Sequence, residues 1–204
     1  MLLKIHPETP GRRQVEKAVE ILKDGGVIIF PTDTVYGLGC DINNNKAVER
    51  VARIKGVHIE KANFSFICHS LSHLTDYAKH VNNPTFKLMK QCLPGPFTFI
   101  LEASSNVPRI FRSRKKTIGI RIPDNNIILE IVQELGNAIL TTSIHDEDVV
   151  LDYTTDPDLI YEHYKNLVDA VIHGGFGNNV PSTVIDCTGP IPLVARQGIG
   201  VVEI

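Results

Sequence analysis

The sequence predicts an α/β protein in which a mixed sheet is flanked by helices. Two observations carry this: short apolar, β-branched runs alternate with stretches of helical periodicity along the chain, and no repeat, low-complexity tract or Pro/Gly/Ser-rich linker interrupts the alternation. The 204 residues, 43% hydrophobic and 22% charged, are enough for one well-filled core, so a single domain over residues 1–204 is expected.

Val15, Ala18, Val19 and Leu22 recur at helical spacing and Gly25-Gly26 supplies a stop, predicting a helix over 12–23. VIIFP at 27–31 is continuous and β-branched, as a buried strand should be, which leaves the polar TDTVYGLG at that strand's end. Further helices are predicted at 46–55, 71–79, 84–92, 126–135 and 157–165. Strands are predicted at 64–68, 97–102, 117–122, 138–142, 169–173, 182–186 and 192–196.

A formal net charge of -2 gives no global attraction to nucleic acid, so a phosphate-binding surface must come from local clustering of cations. Cys40, Cys68, Cys92 and Cys187 form no CxxC pair, which argues for reduced thiols rather than a zinc knuckle or a disulfide framework. No signal peptide is recognisable and no apolar run approaches the length needed to span a bilayer, so no membrane partner and a cytoplasmic location are expected. No HExxH, GxGxxG or GxxxxGK[ST] is present, and no metal site is expected. The tip His145-Asp146-Glu147-Asp148 reads as a solvated turn, and HGGFGN at 173–178 only loosely resembles a phosphate-cradling loop.

A recurrent pattern points to function. Apolar strands end in hydroxyls or a basic residue: Thr32 and Thr34 after VIIFP, Thr141, Thr142 and Ser143 after AIL, Ser182 and Thr183 at the head of a strand, Arg121 in GIRIP and Arg196 in VARQG. Strand ends meeting at a crevice are the usual ligand site of open α/β sheets, and small hydroxyls hold phosphate or carboxylate without filling the cavity. Lys55 and Lys61, at and beyond a helix end, read either as solvated charges complementing the helix dipole or as mobile phosphate contacts. Arg109, Arg112, Arg114, Lys115 and Lys116 form the densest basic run, a solvated loop or an RNA-backbone contact.

PTDTVYGLG at 31–39 resembles the signature of the YrdC/YciO family, the threonylcarbamoyl-adenylate synthases and their paralogues. Lys55-Gly56 with Lys61, LPGPFTFIL at 93–101, TIGIRIP at 117–123, TTS at 141–143, PSTVID at 181–186 and ARQG at 195–198 follow in family order. IHPETPGRRQ, NFSFIC, TFKLMK, RKKTIGIRIP and VDAVIHGG are similar to the YciO branch. The resemblance implies a twisted mixed sheet enclosing a concave basic cleft, ATP as substrate with Mg2+, L-threonine and bicarbonate as co-substrates, and an adenylate product used in tRNA threonylcarbamoyladenosine modification. It also implies binding of double-stranded RNA or tRNA. By residue, it implies Lys55 and Lys61 as catalytic groups on the ATP or AMP phosphates, with Ser143, Ser182 and Arg196 completing the nucleotide cleft. Thr34, Tyr36 and Arg121 would hold threonine, and Arg112, Arg114, Lys115 and Lys116 would contact RNA. Two positions depart from the synthase pattern. Val57 stands where synthases carry arginine, and Ile144-His145 stands where they carry Ala-Asn. The alternative is a YciO paralogue that binds nucleotide or RNA in translation or ribosome maturation without synthase activity. The longer two-domain form of the family is not expected.

Overall fold

A computed structural model describes residues 1–60, 62–111, 116–144 and 154–203. The strands are β1 (Leu2–Lys4), β2 (Val27–Phe30), β3 (Gly37–Asp41), β4 (Ser65–Ile67), β5 (Phe97–Glu102), β6 (Thr117–Arg121), β7 (Ile139–Ser143), β8 (Ala170–His173), β9 (Thr183–Asp186) and β10 (Leu193–Arg196). The helices are α1 (Arg12–Lys23), α2 (Asn45–Ile54), α3 (Leu71–Tyr77), α4 (Asn83–Cys92), α5 (Asn126–Leu135) and α6 (Pro157–Tyr164). The strands form one mixed sheet in the order β1-β8-β2-β3-β7-β4-β6-β5-β9-β10.

Local chemistry sets the helix ends. Asn44, Ser70, Asn82, Asn125 and Asp156 each accept a hydrogen bond from a backbone N–H in the first turn of the helix that follows, satisfying donors the helix cannot. Gly136 closes α5 at φ 83, in the left-handed region. At the end of α2, Gly56 N–H donates to Arg53 O and Val57 N–H to Ala52 O, with Gly56 at φ 65. This is a Schellman cap, so Val57 sits on an ordered turn.

Two apolar layers cover the sheet. On one face Val15, Ala18, Val19 and Leu22 of α1 and Ile127, Ile128, Ile131 and Val132 of α5 pack on Ile28, Phe30, Ile67 and Ile139. On the other, α2, α3, α4 and α6 pack through Val48, Val51, Leu74, Met89 and Ile160 on Val27, Ile29, Phe66 and Phe99. All the predicted helices and strands are present, with ends shifted by up to two residues. Two strands were not foreseen. β1 is a three-residue edge strand pairing in parallel with β8. β3 begins inside the segment TDTVYGLG expected to be polar loop and runs two residues past it. Its glycines are required by packing: a Cβ on Gly37 would lie 2.8 Å from the Phe30 ring, and one on Gly39 would strike Leu140 O.

Candidate functional site

α1 and α5 cover their face of the sheet only in part. Side chains alternate across a strand, so Ser65, two residues before the core residue Ile67, and Thr141 and Ser143, beyond the core residue Ile139, point to this same face. Here they line a cleft of about 1150 Å³. Its floor is a register row. Thr141 pairs with Ser65, Ser65 with Gly119, Gly119 with Ile100, and Ile100 with Asp186. At about 4.8 Å per strand, these five strands extend about 19 Å. Thr141, Ser65 and Gly119 leave room above the sheet because they are small: a Cβ on Gly119 would already meet Ser65 Oγ at 2.7 Å.

Cations and hydroxyls gather at one end of this floor. Arg121, at the end of β6, is 8% exposed and lines the cleft. Its Nη2 donates to Asp33 Oδ1 at 2.9 Å and to Thr34 Oγ1 at 3.0 Å. Its Nε is the one buried side-chain polar atom without a partner among the described residues. Beside it, the Thr98 and Ser182 hydroxyls lie 2.8 Å apart. Arg196 Nη2 donates to Ser182 O at 2.9 Å, and its charge acts on Arg121. Burial lowers the Arg121 pKa, Asp33 counters this, and the like charge of Arg196 adds to the lowering. Burial likewise raises the Asp33 carboxyl, more than Arg121 lowers it. Lys55, Ser143 and Tyr36 also line the cleft, with Glu60 and Asp186 as its acids.

The predicted residues therefore separate. Lys55, Ser143, Ser182, Arg196, Tyr36 and Arg121 share one cleft. Thr34 is fully buried behind Arg121, where it faces a smaller hollow of about 480 Å³ shared with Asp33, Phe176 and Asn178. The Tyr36 hydroxyl is committed to Gly175 O at 2.7 Å, and burial raises its pKa to about 12. HGGFGN thus serves Tyr36: a Cβ on Gly177 would lie 2.7 Å from the Tyr36 ring. Lys116 is exposed, its carbonyl accepting from Ala103 N–H. Lys61, Arg112, Arg114, Lys115 and His145 lie outside the described residues. Val57 lines the cleft and is 41% exposed, whereas Ile144 is buried, its N–H bonded to Tyr36 O.

Asp33 was missed by sequence reasoning, although an acid held between two threonines was a visible signal. Burial raises the pKa of all four cysteines, Cys187 to about 11, so none is poised as a nucleophile. Among the described residues no group of three or more His, Cys, Asp or Glu side chains could hold a metal ion, and no helix is long and apolar enough to cross a membrane.

A mixed sheet with part of one face left open as a hydroxyl- and arginine-lined cleft is a ligand-binding α/β architecture. Comparison with known proteins makes this specific. The Sua5/YciO/YrdC family, described as Telomere recombination, matches residues 20–198. YciO of Escherichia coli is 41% identical over 201 residues, 98% of this chain and 96% of that one. Its crystal structure superposes with a TM-score of 0.92 over 100% of this chain and 98% of that chain. A threonylcarbamoyl-AMP synthase of Pseudoalteromonas translucida is 30% identical over 176 residues, 84% of this chain and 92% of that one. P. abyssi Sua5, solved as a complex with L-threonine, is 27% identical with a TM-score of 0.87, over 97% of this chain and 57% of that one. The chain belongs to the Sua5/YciO/YrdC family, with high similarity to YciO and a more distant relation to the threonylcarbamoyl-AMP synthases.

Proposed function

We propose that the cleft binds ATP or AMP together with L-threonine and forms threonylcarbamoyl-adenylate slowly. The observation that carries this reading is Arg121: a nearly buried guanidinium at the wall of a cleft that also holds Arg196, Ser182 and Lys55. A cation so placed gains charge-assisted bonds from an anionic ligand oxygen. At about 1150 Å³, the cleft has room for a nucleotide and a second small molecule.

In this reading Arg121 receives the threonine carboxylate, and Lys55, Lys61, Ser143, Ser182 and Arg196 hold the phosphates. The threonine amine joins bicarbonate as a carbamate with loss of water. A carbamate oxygen then attacks the α-phosphorus, the bond to the β-phosphate oxygen breaks, and pyrophosphate leaves. The protein's task is alignment and charge neutralisation. Magnesium enters with ATP, since phosphates and at most one or two carboxylates suffice to hold it, and Asp186 and Glu60 are the carboxylates at hand. The product would pass to a partner that modifies tRNA. Four scattered cysteines without a CxxC pair fit a reducing, cytoplasmic setting.

Incubation with labelled threonine, bicarbonate and MgATP tests the proposal. Adenylate and pyrophosphate in equal amounts support it, and neither product in the presence of bound ATP refutes synthase activity. A second reading, a paralogue that binds nucleotide or RNA without adenylation, is favoured by Val57. Its apolar side chain borders the cleft where synthases carry arginine.

A further inference from the structure

We propose that the turn Thr32-Asp33-Thr34 is an arginine clamp, and that Asp33 is the positioning residue that sets the cleft's affinity for a carboxylate-bearing ligand. This rests on the reading of Arg121 as the carboxylate site.

The clamp is built from both sides of the end of β6. Asp33 Oδ1 accepts from Arg121 Nη2 at 2.9 Å, while Asp33 Oδ2 accepts from the Asp124 N–H at 3.1 Å. The carboxylate is thereby fixed to the strand that carries the arginine and to the turn that follows it. Thr34 Oγ1 takes the second Nη2 contact at 3.0 Å. Thr34 is held in turn by Thr32, whose Oγ1 accepts from Thr34 N–H at 3.0 Å, lies 3.1 Å from Thr34 Oγ1 and donates to Val35 O at 2.8 Å. An Nη nitrogen has two hydrogens, so Asp33 and Thr34 consume both. The guanidinium plane is pinned, and the N–H groups that Asp33 and Thr34 do not take are left for a ligand. The Asp33 and Arg121 side chains are 10% and 9% exposed, so the pair is held without the screening that weakens surface ion pairs.

Neither Asp33 nor Thr34 lines the cleft, so their effect on a ligand there passes through Arg121. A side chain of the right charge but the wrong angle loses a directional bond. A guanidinium without its carboxylate is an unpaired buried charge, free to seek another acceptor. Both consequences fall on the ligand that meets the Arg121 guanidinium and spare a nucleotide held by Lys55 and Arg196.

The test is calorimetric titration of L-threonine into AMP-saturated protein and of AMP into free protein, for the parent, Asp33→Asn, Asp33→Glu and Thr34→Val. We expect Asp33→Asn to weaken threonine about tenfold or more, with AMP affinity kept within about twofold. Thr34→Val should act in the same direction but less, and Asp33→Glu should recover part of the loss. A split between the two ligands and a rescue by the conservative variant are not produced by general loosening of the fold. If a folded Asp33→Asn binds threonine as the parent does, the clamp is overturned while the proposed function stands. If Asp33→Asn does not fold, unchanged threonine affinity in Thr34→Val overturns the clamp. A parent that binds AMP but no threonine overturns the Arg121 reading, and the clamp's role in ligand affinity falls with it.

Discussion

Val57→Arg should raise threonylcarbamoyl-adenylate formation without disturbing the fold. The Schellman bond from residue 57 is made by its backbone, Val57 N–H to Ala52 O, and survives the substitution. The valine side chain is 41% exposed, so the apolar burial at stake is about 1 kcal/mol, or about 2–4 °C in Tm for a chain of this size. Against that cost, the new guanidinium would stand two residues beyond Lys55, at the border of the same cleft. A donor that meets charge developing in the transition state is worth about 100- to 1000-fold in kcat when fully placed. With Ile144 buried and no asparagine at 145, the placement is incomplete, and a gain of about tenfold is expected, chiefly in kcat rather than in KM for ATP. The assay is adenylate release from labelled threonine, run beside Val57→Arg with His145→Asn. Should both variants stay folded, bind ATP and make no more adenylate than the parent, the reasoning fails and the non-synthase reading replaces it.

The double change Lys55→Ala with Arg196→Ala should weaken ATP by about tenfold to a hundredfold in calorimetry; equal affinity would place both cations outside the nucleotide site. Burial and the neighbouring His69 lower the His73 pKa below 6.5, with Asp76 opposing. As pH falls through 6.5 the unfolded chain takes up this proton before the folded one, so stability is lost on acidification. The thermal midpoint should drop between about pH 7.5 and about pH 5, less steeply in His73→Gln, and identical slopes would remove His73 from the account. Any double-stranded RNA binding, which the family resemblance puts on Arg112, Arg114, Lys115 and Lys116, should be steeply salt-dependent with little sequence preference; neutralising the four without loss of affinity would refute that role.

What was legible in the sequence follows from how each element is stabilised. β2 is a continuous buried apolar run, β5, β6 and β8 are dominated by apolar residues, and α1 and α5 show their buried stripe directly. β3 was hidden because its small residues serve Phe30 and the cleft floor rather than propensity; Gly37 and Gly39 look like turn residues until the ring above them is seen. β1 is too short to carry a period and exists by pairing with β8. In the site, repetition of strand-end hydroxyls and cations located Ser143, Ser182, Arg121 and Arg196. The division of labour inside TDT was not visible, because Thr34 serves the arginine rather than the cleft only through its β6 neighbour 87 residues away.

In the proposed function an anionic oxygen of the ligand meets the Arg121 guanidinium in the cleft. A crystal structure with AMP and L-threonine would show this contact. Expected are the AMP phosphate against Lys55 and Arg196, a threonine carboxylate oxygen within hydrogen-bond reach of the Arg121 guanidinium, and Asp33 still on Nη2. Ligand density elsewhere on the sheet, or a threonine carboxylate away from Arg121, would overturn it.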